Sequence, residues 1–153
     1  PERRTDHEIE LVAIIGKAGS NIPASEALTY VAGYSIGLDI TIRGPEERSL
    51  RKSLDTYSVL GPWLVTTDEI SDPHALAMHL TVNGENRQVA NTKDLIMDVA
   101  ELIEFASKFY TLQPGDLLYT GTPEGVGEIK HGDTISSTIE KIGTLAVEVR
   151  NAK

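Results

Sequence analysis

The chain has 153 residues, enough for one domain with a single hydrophobic core. Its 14 Lys and Arg residues against 23 Asp and Glu residues give a formal net charge of -9, which excludes an electrostatic surface for nucleic acid. The absence of cysteine excludes disulfides, thiolate catalysis and cysteine-ligated metal sites, and the apolar runs are too short to span a bilayer. A soluble protein with no membrane partner is expected, and the cytoplasm is its expected location.

The first residues of the chain bear on whether the sequence is a piece of a longer protein. Residues 1–6 (PERRTD) contain neither an initiator Met nor a signal peptide, and no apolar stretch of a signal peptide follows the two arginines. We interpret this as a trimmed beginning. Residues 1–153 are therefore predicted to form a single catalytic-type domain that lacks an upstream portion containing the rest of the active site.

The first part of the chain alternates between strand and loop composition. Residues 8–15 open with period-two alternation and end fully apolar, which predicts a strand that is polar on one face at its start. Residues 23–33 have helix-start chemistry at Pro23 and predict a short helix that Gly33 ends. Residues 34–42 return to strand composition, and residues 43–55 have no apolar period and are predicted to be a loop.

The remainder of the chain predicts mainly strands. Residues 60–65 carry a turn into a short buried run, and residues 76–82 alternate up to Asn83-Gly84, the strongest short hairpin pattern. Asp98 and Glu101 have the spacing of a capping box ahead of an apolar stripe, which predicts a second helix. Further strands are expected at residues 117–119, at residues 134–139 and near Val149. The domain is therefore predicted to be mostly β (α+β), with two short helices.

Three carboxylates form the first candidate site. Glu8 and Glu10 are two residues apart, so on a strand they emerge on the same face, roughly 6 to 7 Å apart at the backbone. A solvent-facing strand edge explains that pair as well, and the pair alone favours this explanation. Asp39 lies in strand composition that would bury it, and a hard divalent cation can satisfy three buried carboxylates at once. An ion pair with Arg43 is an equal alternative for Asp39.

Other candidate residues have weaker support from the residues alone. Lys52 lies in a polar stretch where a merely solvated lysine is equally expected. Residues 119–127 contain three glycines and two threonines, which allow close approach of a small anion, although a tight turn is the alternative. No histidine has ligand spacing, so each is interpreted as structural or exposed: His7, His74, His79 and His131. Nucleophile elbows, dinucleotide fingerprints and Walker loops are absent from the sequence.

Several short motifs occur in order along nearly the whole chain: Glu8-Ile9-Glu10-Leu11, Tyr30-Val31-Ala32-Gly33-Tyr34, Lys52-Ser53-Leu54-Asp55-Thr56, Leu60-Gly61-Pro62-Trp63, Val82-Asn83-Gly84, Pro114-Gly115-Asp116 and Thr120-Gly121-Thr122-Pro123-Glu124-Gly125-Val126-Gly127. The pattern resembles the C-terminal catalytic domain of the fumarylacetoacetate hydrolase family, in its acylpyruvase and hydroxymuconate isomerase-decarboxylase group. The resemblance implies a mixed β-sandwich roll and a homodimer.

The resemblance also implies roles for individual residues. It implies magnesium or manganese ligation by Glu8, Glu10 and Asp39, binding of the acidic end of the substrate by Arg43 and Thr122, and catalytic assistance at the reacting carbonyl by Lys52. In many members a His and a Glu that act as general base lie upstream of the segment that matches this chain. Ile42-Arg43-Gly44 stands where many members have Ala-Arg-Asp, and the loop between Asp39 and Lys52 is shorter than usual, so the choice of substrate stays open.

The function that this resemblance implies is metal-dependent hydrolysis. We expect a small 2-oxo acid substrate, with cleavage of a carbon–carbon bond in acylpyruvate-type 2,4-diketo acids through a metal-stabilised enolate. The alternatives are isomerisation or decarboxylation of 2-oxo or 2-hydroxymuconate-type diacids, as in a 5-carboxymethyl-2-hydroxymuconate isomerase, and decarboxylation of oxaloacetate. The resemblance also implies a role in the catabolism of aromatic compounds. A non-catalytic scaffold is the alternative from another class.

Overall fold

A computed structural model describes residues 3–151. The prediction that the beginning of the chain is trimmed rests partly on Pro1 and Glu2, which lie outside the described residues. Within the described range the chain forms eleven strands: β1 (Thr5–His7), β2 (Ile9–Ile15), β3 (Val31–Asp39), β4 (Thr41–Ile42), β5 (Ser58–Thr66), β6 (Ala77–Val82), β7 (Glu85–Asn91), β8 (Leu117–Tyr119), β9 (Gly127–Ile129), β10 (Thr134–Ile139) and β11 (Gly143–Glu148). The fold is therefore mostly β, as predicted.

The helices of the described range are short, and there are three α-helices where the sequence predicted two. They are α1 (Ala24–Ala27), α2 (Arg48–Lys52) and α3 (Val99–Ser107), with 3-10 turns at Leu28–Tyr30, Pro73–Ala75 and Thr92–Asp94. Among these residues no helix combines the length and apolar character that a bilayer-crossing segment requires.

The strands pair in three antiparallel sheets. Their orders are β5-β3-β2-β8, β11-β10-β6-β7 and β4-β1-β9. One hydrophobic core combines side chains from both four-stranded sheets and from α3, among them Leu11, Ile36, Leu80, Ile135 and Ile103. Burial of such side chains contributes about 1.5 to 3 kcal/mol each, so this shared core holds the sheets together.

The central strand β2 sets the position of the acidic residues. β2 lies between β3 and β8, and all seven of its residues are buried. Its register with β3 pairs Ile9 with Leu38 and Glu10 with Gly37, and the Asp39 amide donates to the carbonyl oxygen of Glu8 over 2.9 Å. This register places the end of β3 beside the start of β2.

Two local predictions are confirmed in detail. Asn83 and Gly84 connect β6 to β7 with φ values of 53° and 82°, the left-handed conformation that a tight hairpin turn requires. Ahead of α3, the Asp98 carboxylate accepts from the Glu101 amide over 2.8 Å, and the Glu101 carboxylate accepts from the Asp98 amide over 2.9 Å. This reciprocal pair is the capping box that the spacing predicts.

Two other predictions are wrong about boundaries. The first helix does not extend to Gly33: the 3-10 turn ends at Tyr30, and Gly33 lies inside β3. A side chain at Gly33 would collide with the Val65 carbonyl oxygen and with Leu64, so this glycine permits close approach of β5. The predicted loop of residues 43–55 contains α2, which buries no residue and therefore has no apolar stripe in the sequence.

Residues 60–65 were predicted to form a buried run, but only some of them are buried. Gly61 and Val65 are buried, whereas Leu60, Trp63 and Leu64 are exposed, Trp63 by 59%. The reason is that β5 is the edge strand of its sheet and its register with β3 shifts between Tyr34 and Ile36, so residues 62–64 fall outside the regular pairing that buries Gly61 and Val65.

Candidate metal centre

The three acidic residues meet in the structure. Glu8 lies between β1 and β2, Glu10 lies in β2, and Asp39 is the last residue of β3. One carboxylate oxygen from each can be chosen so that all three lie within 4.8 Å of one another. Glu8 immediately precedes β2 and is two residues from Glu10, and the register of β2 with β3 adds Asp39, so the three carboxylates meet as the sequence predicts for a shared site.

Burial gives this carboxylate cluster an electrostatic cost. Glu8 and Glu10 are only 7% and 4% exposed. The Gly121 amide donates to Glu10 Oε2 over 2.7 Å, which favours the charged carboxylate, yet burial outweighs this and raises the pKa of Glu10 to about 7. The negative charge of the cluster is only partly compensated. Mg²⁺ and Mn²⁺ prefer hard oxygen ligands of this kind, so the three carboxylates fit a divalent cation.

Lys52 supplies a counter-charge within the cluster. Its ammonium group donates to Glu8 Oε2 over 2.9 Å and to the Asp39 carboxylate. Burial, the largest single influence, lowers the pKa of Lys52, but the hydrogen bonds with Asp39 and Glu8 outweigh it, so the pKa is raised. The last residue of α2 is therefore a charged member of the site and not a solvated surface lysine.

Arg43 contacts the other side of Glu8. Its Nη2 lies 3.1 Å from Glu8 Oε1, and its Nε donates to Asp6 Oδ2 over 2.7 Å. Arg4 pairs with the same buried Asp6, and the two guanidinium groups lower the pKa of Asp6 although burial alone would raise it. Arg43 is thereby oriented by Asp6 while 40% of its side chain stays exposed. Among the described residues the cation paired with Asp39 is Lys52 and not Arg43.

Thr122 lies against β2 and not in a free loop. Its Oγ1 donates to the Ile9 carbonyl oxygen over 2.9 Å and accepts from Gln88 Nε2 over 2.8 Å. Thr120 is held in the same way, since its hydroxyl donates to the carbonyl oxygen of Leu11 over 2.9 Å. Residues 120–122 therefore run alongside the start of β2, with the Gly121 amide directed at the acidic cluster.

Tyr119 and Gln88 are two further residues near the cluster to which the sequence did not point. The Tyr119 hydroxyl donates to the Val59 carbonyl oxygen over 2.9 Å, and burial together with the charges of Asp39 and Glu10 raises the pKa of Tyr119 to about 12. His7 is fully buried, its Nδ1 lies 3.0 Å from Gln88 Oε1, and burial lowers its pKa. The burial of His7 agrees with its interpretation as structural, whereas the sequence assigned no individual role to Tyr119 or Gln88.

A separate cavity of about 990 Å³ does not coincide with the acidic cluster. It is lined by apolar side chains such as Ile129, Ile135 and Val147 and by cationic ones such as Lys130 and Arg150. None of the three clustered carboxylates lines it. The carboxylate geometry, and not the volume of this cavity, therefore identifies the candidate site.

Residues 1–150 match the family model described as Fumarylacetoacetate (FAA) hydrolase C-terminal. The chain belongs to the fumarylacetoacetate hydrolase family. The β-sandwich roll expected from the resemblance is therefore the fold of this domain.

Two relatives that are named for their activities resemble this chain over nearly its whole length. Maleylpyruvate hydrolase of Aquipseudomonas alcaligenes is 59% identical over 150 residues, covering 98% of this chain and 52% of that protein. The 4-hydroxyphenylacetate degradation bifunctional isomerase/decarboxylase of Salmonella dublin is 41% identical over 148 residues, covering 94% of this chain and 34% of that protein. The chain thus spans about half, or less, of the length of these relatives.

A solved structure agrees with the fold over nearly the whole chain. Maleylpyruvate hydrolase from Sphingobium sp. SYK-6, in complex with manganese(II) ion and pyruvate, superposes with a TM-score of 0.94 at 44% identity. The match covers 99% of this chain and 56% of that one. A divalent cation is therefore found in a family member with this fold.

Proposed function

We propose that this chain carries the divalent-cation centre of a metal-dependent hydrolase that cleaves a carbon–carbon bond in acylpyruvate-type 2,4-diketo acids. The observation that carries the proposal is the approach of oxygens from Glu8, Glu10 and Asp39 to within 4.8 Å of one another. The relative named maleylpyruvate hydrolase, 59% identical, and the Sphingobium structure with manganese(II) and pyruvate support this substrate class.

Glu8, Glu10 and Asp39 would hold the cation. The manganese(II) of the Sphingobium structure supports Mn²⁺, and the same oxygen donors suit Mg²⁺. When bound, the ion supplies Lewis-acid polarisation of the 2-oxo acid.

The basic residues of the site provide the remaining chemistry of this chain. In hydrolysis, water adds to the acyl carbonyl, the adjacent carbon–carbon bond breaks, and negative charge develops on the pyruvate fragment until it takes up a proton. Lys52, whose ammonium group reaches Glu8 and Asp39 and would release these carboxylates to a bound cation, would stabilise that developing charge from beside the centre. Arg43 presents its exposed guanidinium edge to a substrate carboxylate, as a planar donor suited to that group. Thr122 positions the segment that faces the same carboxylate.

A second activity, isomerisation or decarboxylation of hydroxymuconate-type diacids, is supported by a separate observation. The relative from Salmonella dublin is named a bifunctional isomerase/decarboxylase and is 41% identical to this chain. These reactions share the polarised 2-oxo acid with hydrolysis but differ in the bond that breaks. The homodimer and the cytoplasmic location implied for this chain stay predictions.

One panel of assays separates these activities. The purified protein is incubated with maleylpyruvate and other acylpyruvates, oxaloacetate and hydroxymuconates, with Mn²⁺ or Mg²⁺. Release of pyruvate with a second acid supports hydrolysis, carbon dioxide without such a pair supports decarboxylation, and an absorbance change without a mass change supports isomerisation. Asp39→Asn should abolish turnover and weaken Mn²⁺ binding, whereas Asp94→Asn at an exposed position should not. Unchanged Mn²⁺ binding in Asp39→Asn would overturn the proposed centre.

A further inference from the structure

Gln88 of β7 is a fully buried polar residue outside the donor set of the proposed centre. Its side chain makes four hydrogen bonds that bridge separate parts of the chain. Oε1 lies 3.1 Å from the Ile9 amide and 3.0 Å from His7 Nδ1, while Nε2 lies 2.8 Å from both Thr122 Oγ1 and the Pro123 carbonyl oxygen. The full hydrogen-bonding capacity of this amide is therefore used on residues near the acidic cluster.

The chemistry of these partners fixes the direction of each bond. The Pro123 carbonyl can only accept, so the amide nitrogen of Gln88 faces it, and the Ile9 amide can only donate, so the amide oxygen faces that group. His7 Nδ1 must consequently carry a proton and donate to Gln88 Oε1. His7 Nε2 has no hydrogen-bond partner within residues 3–151, which suits an unprotonated nitrogen better than a buried donor.

The residues that Gln88 contacts surround the glutamates of the proposed centre. His7 and Ile9 are the two chain neighbours of Glu8, and Ile9 also precedes Glu10. Thr122 follows Gly121, whose amide donates to Glu10 Oε2 over 2.7 Å. A displacement of this bridging amide would thus move both glutamates and the hydrogen-bond donor that orients one of them.

We propose that Gln88 is a positioning residue that holds residues 7–10 and residues 121–123 in the arrangement that binds a divalent cation. The inference rests on the proposed function, since it assigns the cation to the glutamates of that site. Within residues 3–151 the side-chain hydrogen bonds of Gln88 go to His7, Ile9, Thr122 and Pro123 and not to the carboxylate oxygens of the proposed ligands. Gln88 acts from the other four-stranded sheet, because β7 belongs to β11-β10-β6-β7 whereas Glu10 belongs to β5-β3-β2-β8.

Two substitutions separate the shape of this residue from its hydrogen bonds. Gln88→Met keeps similar length and removes all four bonds. Gln88→Glu keeps the shape and the acceptor but sets a carboxylate oxygen against the Pro123 carbonyl oxygen, where a donor is required. Gln113→Met makes the same chemical change at an exposed position and serves as the matched control.

The test measures Mn²⁺ binding by electron paramagnetic resonance in the protein variants, below the melting temperature of each. We expect at least a tenfold loss of Mn²⁺ affinity and an altered spectrum of the bound ion in Gln88→Met and Gln88→Glu, with Gln113→Met unchanged. Circular dichroism verifies folding, and Gln88→Glu decides the result if Gln88→Met does not fold. Nitrogen-15 NMR of wild-type protein without added metal should show a neutral His7 protonated on Nδ1.

The outcomes distinguish the two proposals. A wild-type protein that binds no Mn²⁺ overturns the proposed function and, with it, the role of Gln88 toward a cation. A wild-type protein that binds Mn²⁺, with the same affinity and spectrum in the folded Gln88 variants, overturns only the inference about Gln88. A neutral His7 that carries its proton on Nε2 and not on Nδ1 also overturns the inference, because Gln88 Oε1 could then not accept from His7 as the bridge requires.

Discussion

Replacing Glu10 by Gln should change how the stability of the protein depends on pH. Glu10 is buried, and burial raises its pKa from the ordinary value of 4.5 to about 7. The folded chain therefore holds this proton more tightly than the unfolded chain does. Between pH 4.5 and 7 the unfolded state ionises first, so the free energy of unfolding falls as the pH rises. The amide of the Glu10→Gln variant would have no proton to lose, and it keeps a carbonyl acceptor for the Gly121 amide.

The size of this effect follows from the pKa difference. One pKa unit corresponds to about 1.4 kcal/mol, so a rise from 4.5 to about 7 corresponds to about 3 kcal/mol. The stabilisation by the protonated acid is complete below pH 4.5 and lost above pH 7. Relative to wild type, the unfolding free energy of Glu10→Gln should therefore increase by about 3 kcal/mol across this interval.

Urea denaturation at several pH values between 4.5 and 8, without added metal, measures this difference. Glu69→Gln is the matched control, because Glu69 is exposed, and its curve should run parallel to that of wild type. Saturating Mn²⁺ at pH 8 should stabilise wild type by mass action and leave Glu10→Gln little changed. Parallel curves for Glu10→Gln and wild type would refute the reasoning, since they would show that burial does not perturb this acid.

Three further substitutions test separate features. Lys52→Met should raise Mn²⁺ affinity about tenfold in a calorimetric titration, because the cation no longer competes with the ammonium group, and should lower turnover, whereas exposed Lys93→Met should do neither. Gly125→Ala should lower the urea midpoint, because φ is +93° and a side chain would collide with the Arg87 carbonyl oxygen. Asp98→Ala should lower the free energy of unfolding, measured by thermal denaturation, by about 1 kcal/mol, because α3 loses its N-cap.

The alignment of the two glutamates was predictable because it depends on short-range geometry. Glu10 lies in β2 and Glu8 immediately precedes that strand, so the two-residue spacing places them on one face, whereas the approach of the partly buried Asp39 depends on the register of β3 with β2. The position of Lys52 was not predictable from local pattern, because α2 buries no residue and its sequence has no apolar period. Only the resemblance to a known family assigned that lysine to the centre.

The bridging role of Gln88 could not be predicted from its neighbours in the sequence. The hairpin register pairs Gln88 with the fully buried Leu80, so its burial depends on a pairing that crosses the turn. Its partners Ile9 and Thr122 are 79 and 34 residues away. Such long-range hydrogen bonds follow from the packing of two sheets and have no periodic pattern. For the same reason, the exposure of Trp63 followed from the edge position of β5 and not from its apolar sequence.

The ammonium group of Lys52 has a consequence for which ions the site can accept. Lys52 is part of α2 and contacts two of the three carboxylates. It therefore competes with any ion for these carboxylates at a constant local concentration. An ion can displace the ammonium group only if its interaction with the carboxylate oxygens is more favourable than that of Lys52. Na⁺ and K⁺ carry no more charge than the lysine they would displace, whereas a divalent ion carries twice as much. In the proposed centre the lysine would therefore favour a divalent ion over Na⁺ or K⁺.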